Sequence, residues 1–258
     1  MATVIQAYRF ALDPTPAQRR TLASHCGAAR VAHNWGLHLV QARLEQRRAG
    51  EDVDVPWTLP ALRQEWNRVK DQVAPWWAEN SKEAYSSGLD GLARALKNWT
   101  DSCNGRRKGR PVGFPRPKRK SRARDACRFT TGQIKVLNDR KHVQLPRIGV
   151  VKTHESTRRL ARRLEQGTAR ILAATISRTA DRWFVSFTVQ RHLPVGKGKT
   201  TVVGVDVGVR HLAVLSTGTT VTNPRALERS QRKLRRLNRQ LARRNTGSQR
   251  RRKTRRRL

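Results

Sequence analysis

Between Gly105 and Arg124 the chain places ten Lys/Arg and three prolines in twenty residues, and no other segment constrains the fold as strongly. Proline lacks a backbone donor and collides with the preceding turn, so no helix passes through Pro111, Pro115 and Pro117. Like charges at that density also resist collapse into a core. Residues 105–126 therefore read as an extended basic loop, with the folded parts on either side of it. A solvated linker without a partner is the competing reading. With a polyanion bound, Arg106, Arg107, Lys108, Arg110, Arg116, Lys118, Arg119 and Lys120 are the candidate contacts to its phosphates, and Phe114 either stacks on a base or anchors the loop.

The two flanks differ in texture. Before the loop, Val4 to Phe10 alternates imperfectly as a short strand within residues 1–13, ended by Asp13-Pro14. Thr15 is placed to cap a helix with Pro16 at its first position. Leu22, Cys26, Ala29, Val31, Trp35, Leu39 and Ala42 then recur near helical spacing, with Arg19, Arg20, Arg30 and Arg43 between them. Gly27 is an expected break, which makes residues 15–47 a helix-turn-helix-like pair; a basic-faced core helix is the alternative. Two more helical patterns follow, Leu62, Trp66 and Val69, then Ala84, Leu89, Leu92, Leu96 and Trp99, completing a helical block over 14–104. Trp76 and Trp77 lie between them. Tryptophan can stack on unpaired bases, but in an apolar stripe it is first a core residue.

After the loop, residues 127–199 hold β-like runs: Arg128 to Thr130, Ile134 to Leu137, His142 to Leu145, Ile171 to Ser177 and Trp183 to Val189. Asn138-Asp139 and Ala180-Asp181 supply turns between neighbours. Short strands and tight turns argue for a small antiparallel barrel or sandwich. If the N-terminal strand joins it, the helical block is an insertion into a β domain. The expected fold class is thus α+β and multidomain.

Charge separates the blocks a second time. The chain carries 56 Lys/Arg against 18 Asp/Glu, a net +38. Residues 45–101 hold ten acids against eight bases, so the rest of the chain carries +40. Such an excess repels itself in a compact state and points to nucleic acid as the neutralising partner, mainly against the parts outside the helical block. It argues against an enzyme for small metabolites. A membrane surface is the weaker candidate, because the basic segments carry few large apolar residues, and no membrane partner is expected. No run of about 18 apolar residues and no leader pattern is present, so the expected location is cytoplasmic. Cys26, Cys103 and Cys127 form no C-x-x-C pair, so neither a disulfide framework nor a zinc site is expected.

From Val202 to Leu215 the texture changes again. Val203, Val205 and Val207 share one face by period two, and Gly204, Asp206 and Gly208 share the other. Glycines beside a carboxylate leave room for a phosphate or a metal. His211 to Ser216 and Thr219 to Thr222 would complete a small hairpin sheet. An acid in the first strand of such a sheet suits an RNase H-like fold, in which carboxylates from separate elements hold divalent metal ions. Asp206 is accordingly the candidate catalytic and magnesium-binding residue; taken alone it is also an ordinary strand-end carboxylate. Beyond it Leu227, Leu234, Leu237 and Leu241 make a heptad-like stripe on a helix that is otherwise basic, with Arg225, Arg232, Arg235, Arg236, Arg239 and Arg243 as candidate phosphate contacts. Glu228 is expected to pair with Arg232, and Ser248 to cap a second helix.

Tyr8-Arg-Phe-Ala-Leu-Asp-Pro-Thr-Pro-Ala-Gln18, Gly27-Ala-Ala-Arg30 with Asn34, Gly113-Phe-Pro-Arg-Pro-Lys118, Leu145-Pro-Arg-Ile-Gly149, Arg182-Trp-Phe-Val-Ser186, Gly204-Val-Asp-Val-Gly208 and Asn223-Pro-Arg225 stand in an order and spacing that spans the chain. In this the chain resembles the TnpB family, the transposon-encoded RNA-guided nucleases of the OrfB insertion-sequence type, often labelled transposases. The resemblance implies a β-barrel wedge domain interrupted by a helical recognition domain, then the N-terminal part of a RuvC domain and a basic helix over 200–258. It also implies a guide RNA and a target double-stranded DNA as partners. Members of that family continue to a second-motif Glu, a four-cysteine zinc ribbon and a final Asp. Here Asp206 and Glu228 are the only acids after Asp181, and no cysteine follows Cys127.

A two-metal site needs more than one carboxylate. The expectation is a C-terminally truncated, RNA-guided DNA-binding protein that does not cut as it stands, with magnesium only a candidate at Asp206 and no zinc. The rival expectations are an active RuvC-type endonuclease completed from elsewhere, a guide-free DNA-binding transposition accessory, and a transposon remnant without function. Oligomeric state is open.

Overall fold

The computed structural model describes residues 2–120, 122–193 and 202–258. Two compact units divide the chain, one comprising Thr3–Leu193 and the other centred on Pro194–Leu258. The expected boundary at residues 199 and 200 lies outside the described residues.

The first unit begins with β1 (Ala2–Asp13), in which Tyr8, Phe10 and Leu12 are buried at period two. Thr15 then caps α1 (Pro16–Arg48) in a capping box: its hydroxyl accepts from the Gln18 amide at 3.3 Å, and the Gln18 side chain accepts from the Thr15 amide at 3.0 Å. Helix α1 runs through Gly27 unbroken, which corrects the expected division of 15–47 into two helices. A single interior glycine costs about 1 kcal/mol. Burying a leucine contributes about 1.5–3 kcal/mol, and Leu22, Leu37 and Val40 are all fully buried along this one face.

Small residues set how α1 meets its partners, α2 (Leu59–Val73) and α3 (Lys82–Cys103). A Cβ on Gly88 of α3 would stand 2.1 Å from the Ala29 carbonyl oxygen, and one on Gly36 would meet Leu92 at 2.9 Å. The tryptophans divide as packing dictates. Trp66 is buried, stacked on Tyr85 at 5.2 Å, with Trp35 edge-on at 5.2 Å. Trp76 remains 41% exposed, and Trp77 begins a short 3-10 turn, Trp77–Glu79.

The helices separate β1 from the rest of its sheet: β2 (Ala126–Phe129), β3 (Lys135–Val136), β4 (His142–Leu145), β5 (Gly149–Thr153), β6 (Ala169–Thr179) and β7 (Arg182–Leu193). The order is β2-β6-β7-β1-β5-β4-β3, with β1 in the middle and β2 and β3 as the edges among the described residues. The pairs β2·β6, β6·β7, β1·β5, β4·β5 and β3·β4 are antiparallel. Strand β5 and the short helix α4 (Arg158–Glu165) were not anticipated. Four arginines in eight residues mask the Leu160, Ala161 and Leu164 stripe that seats α4 on the sheet.

The second unit holds β8 (Val205–Asp206), β9 (His211–Leu215) and β10 (Thr220–Thr222) in an antiparallel sheet, then α5 (Ala226–Arg243) and α6 (Gln249–Arg257). Strand β8 is shorter than the sequence suggested, pairing only Val205 with Leu215 and Asp206 with Val214. The face alternation read from the valines does not bury them: Val203, Val205 and Val207 are all exposed. Of the leucine stripe on α5, Leu237 is buried and Leu227 and Leu234 are exposed, because α6 packs back only on the C-terminal part of α5.

Candidate nucleic-acid interface

The described residues of the basic loop, 105–120 and 122–125, form neither helix nor strand, in keeping with three prolines, and are pinned at intervals. Near its start the Ser102 hydroxyl accepts from the Val112 amide at 2.9 Å. Phe114 then packs edge-on to Trp99 at 4.9 Å, so it anchors the loop. Asn34 of α1 holds the next stretch twice: its Oδ1 accepts from the Lys118 amide at 2.8 Å and its Nδ2 donates to the Lys118 carbonyl at 3.2 Å. At the end of the loop Asp125 binds Arg30 at 2.5 Å and Arg178 at 3.0 Å.

Between these pins Arg106, Arg107, Lys108, Arg110, Arg116, Arg119 and Lys120 are exposed. Lys118 differs: it is half-buried, and burial, then the nearby Arg94 guanidinium, lowers its pKa from the usual lysine value. Lys118 also faces His33, whose pKa falls to about 4, chiefly through burial and then through the Lys118 charge. The loop therefore places seven of its eight candidate cations outward and turns the eighth toward the helices.

A groove of about 690 Å³ opens where the loop leaves α1. Arg20, Arg30, Lys118, Lys120 and Arg178 line it, with Asp125 and Glu79 as the acids. Arg20, Arg30 and Arg178 were not singled out as phosphate contacts from the sequence. Nothing local marks them: Arg20 and Arg30 share α1, and Arg178 reaches them only because β2, to which β6 is paired, packs against α1 and Asp125 binds both Arg30 and Arg178.

In the second unit, Arg232, Arg235, Arg236, Arg239 and Arg243 are exposed along α5. Glu228 lies 3.8 Å from Arg225, not beside Arg232 as expected. Arg225 has a left-handed backbone (φ +47°) at the N-cap, which directs it to the acid three residues on. Two further arginines build the corner between the helices. Arg251 of α6 donates to the Leu241 and Arg244 carbonyls, covering acceptors that the end of α5 leaves open. Arg244 in turn donates to the Arg250 carbonyl at 2.8 Å and to the Thr254 hydroxyl, and Thr254 is buried. Ser248 caps α6, accepting from the Arg251 amide at 3.1 Å.

Asp206 is exposed at the end of β8. Among the described residues no three His, Cys, Asp or Glu side chains gather as a metal group, and the unit's other acid, Glu228, is engaged by Arg225. Asp206 alone does not fit a divalent metal centre, which needs several oxygen ligands. Likewise, no helix among the described residues is long and apolar enough to cross a membrane.

Residues 184–258 match the OrfB_IS605 family, described as "Probable transposase", and residues 1–49 match its companion HTH_OrfB_IS605, described as "Helix-turn-helix domain". Two Mycobacterium tuberculosis proteins, each named "Putative RNA-guided DNA endonuclease", are 42% identical to this chain over 95% of its length. The Escherichia coli protein InsQ, of the same description, is 26% identical over 93% of the chain. The chain spans only 57% and 54% of these relatives' own lengths. The solved Cas12f1–sgRNA–target DNA complex is similar at 13% identity and a TM-score of 0.33, covering 93% of this chain and 62% of that one, too loose a likeness to place individual elements. Matches at both ends of the chain to OrfB insertion-sequence families, with relatives similar along nearly all of it, show that this chain belongs to the TnpB family.

Proposed function

We propose that this chain holds a guide RNA and a target DNA duplex, leaving the reading of sequence to base pairing. The observation that carries the proposal is the disposition of its cations. Arg106, Lys108, Arg110, Arg116, Arg119 and Lys120 on the loop, with Arg232, Arg235, Arg236, Arg239 and Arg243 on α5, stand exposed with no ion pair among the described residues. Guanidinia arrayed without acids suit bidentate contacts to phosphate. The names carried by the relatives point the same way. In this reading the seven-stranded sheet is a wedge barrel, the three helices are its recognition insertion, and β8 to β10 open a RuvC domain with Asp206 as its first carboxylate.

By themselves these residues bind without cutting in this reading, because among the described residues Asp206 has no second carboxylate beside it to position the metal ions that in-line phosphodiester cleavage requires. A second reading, an active endonuclease when further carboxylates join Asp206, is favoured by one fact: Asp206 is exposed and makes no ion pair among the described residues.

Immunoprecipitation with sequencing of the bound RNA and DNA tests the proposal. A discrete RNA whose sequence explains the DNA sites is expected. Affinity for that RNA should fall steeply with salt, since a protein that neutralises six to ten phosphates binds about 10³–10⁵ more weakly at 200 mM than at 50 mM. A salt slope near zero overturns the binding claim. Asp206-dependent cutting by the purified chain in magnesium overturns the claim that it does not cleave.

A further inference from the structure

Three of the eight bases in the near-neutral stretch 45–101 are placed unlike the rest. Arg68, Arg94 and Lys97 each pair with an acid one turn away, Glu65, Asp90 and Asp101, at 2.5 to 2.8 Å. Arg47 and Arg48 close the last turn of α1. The three that remain, Arg63 and Lys70 on α2 and Lys82 on α3, form no ion pair among the described residues and line one pocket of about 340 Å³. No carboxylate among the described residues lines it. Glu83, the acid whose field reaches Arg63, holds its carboxylate on Thr130 instead, accepting from the Thr130 amide at 2.9 Å and from its hydroxyl.

The rest of the pocket wall is aromatic. Trp66 and Tyr85, both buried and stacked on each other, back it, and the half-buried Trp77 presents its ring, with the Lys70 ammonium 3.7 Å from the ring centre and the indole N–H donating to Asp71 at 2.5 Å. Asn67 and Ser86 add an amide and a hydroxyl at the same wall. Aromatic faces accept any base, because every base has a π-surface. Cations without acids suit a phosphate. The volume is at the small end of the roughly 300–1,000 Å³ range of small-molecule sites, a size suited to one nucleotide rather than a stacked run.

We infer that the pocket between α2 and α3 binds a single unstacked nucleotide, its base against the half-buried Trp77 ring and its phosphate between Arg63, Lys70 and Lys82. This rests on the proposed nucleic-acid function only for the source of the nucleotide, which can be the RNA, a DNA strand or a free nucleotide.

Fluorescence of 2-aminopurine, quenched when the base stacks, tests this on the purified chain at about 150 mM salt, near physiological ionic strength. The probe is presented as the free ribo- or deoxyribonucleotide monophosphate, and then at one position at a time in RNA or DNA oligonucleotides. Quenching is expected in the free-nucleotide arm and at a single position of one strand, and that strand identifies the source. The triple variant Arg63→Gln, Lys70→Gln, Lys82→Gln should weaken the quenching interaction at least tenfold. The charge-matched variant Arg68→Gln, Arg94→Gln, Lys97→Gln should weaken it less than twofold. Equal losses in both triples, or no quenching in the unaltered chain, overturn the pocket. Total RNA retention on filters, measured alongside, separates the two proposals: unchanged retention without quenching removes the pocket alone, whereas loss of retention removes the nucleic-acid reading itself.

Discussion

Helices α3 and α5 dispose of charge in opposite ways. On α3, Arg94 and Lys97 lie 2.5 and 2.8 Å from Asp90 and Asp101, while Leu89, Leu92 and Leu96 are fully buried. On α5 one acid, Glu228, stands among a column of exposed arginines, and Leu237 is the only leucine of its stripe that is buried. The first helix completes its own electrostatics and is held by packing. The second carries unopposed guanidinia, so an external polyanion has more to act on there than the protein itself does. Stability should therefore follow packing in the first unit, and binding should follow cations in the second.

The largest effect that could break this contrast is expected at Gly88. Alanine there would drive a methyl group to within 2.1 Å of the Ala29 carbonyl oxygen, and backbone cannot yield as a flexible side chain does. Gly88→Ala should cost about 3 kcal/mol or more, read as a fall in the urea midpoint of the first unit. An unchanged midpoint would mean that α1 and α3 are not held by close packing.

The next effect is acid sensitivity of the same unit. His33 is buried, with a folded pKa of about 4 against 6.5 for the free side chain. His25 is also lowered, by burial, and its ring bridges the Thr21 carbonyl at 2.9 Å and the Ser81 amide at 3.1 Å, a pattern that needs the neutral form. Between pH 6.5 and about 4 the unfolded chain binds more protons than the folded one, so stability is complete above 6.5 and declines as pH falls toward 4. The loss from His33 is on the order of 2 kcal/mol. Urea titrations across that range should show this slope, and His33→Gln should flatten it.

On α5 the combined change Arg232→Gln, Arg235→Gln, Arg236→Gln, Arg239→Gln should leave the thermal midpoint unchanged while weakening RNA binding. The log-affinity against log-salt slope should shrink by about three to four, near one for each phosphate no longer neutralised. Loss of stability instead would show that these arginines hold the fold. A smaller effect is expected at the α5–α6 corner, where Arg251→Gln removes guanidinium donors from two carbonyls. About 1 kcal/mol should be lost, visible as fraying of helix signal by circular dichroism. Smallest of all, Leu227→Ala should stay within about 0.5 kcal/mol, since that side chain is 67% exposed.

Much of the local structure was legible in the residues. Thr15 and Ser248 cap as their positions implied, because a cap involves groups only three residues apart. The described part of the loop stays free of helix because proline acts on its own backbone. Gly27 misled because its cost is small beside the burial of a long face. Glu228 misled because the left-handed Arg225 brought a nearer cation than the helix repeat supplied. Strand β5 and α4 escaped notice where basic residues interrupt short apolar patterns. In the candidate interface, the loop and α5 cations could be read from sequence, whereas the withdrawal of Lys118 toward α1 could not.

The sequence by itself determined the helical block before the loop and most of the strands after it, the basic loop, the concentration of cations outside residues 45–101 and the lone Asp206 in its glycine-flanked strand. Those properties arise from backbone chemistry and charge over a few neighbouring residues. Tertiary structure alone decided that Arg30 and Arg178 share Asp125, that Gly88 lies against Ala29, and that Arg63, Lys70 and Lys82 converge on one aromatic pocket. Each of these joins residues from separate elements, so it exists only once the elements have packed.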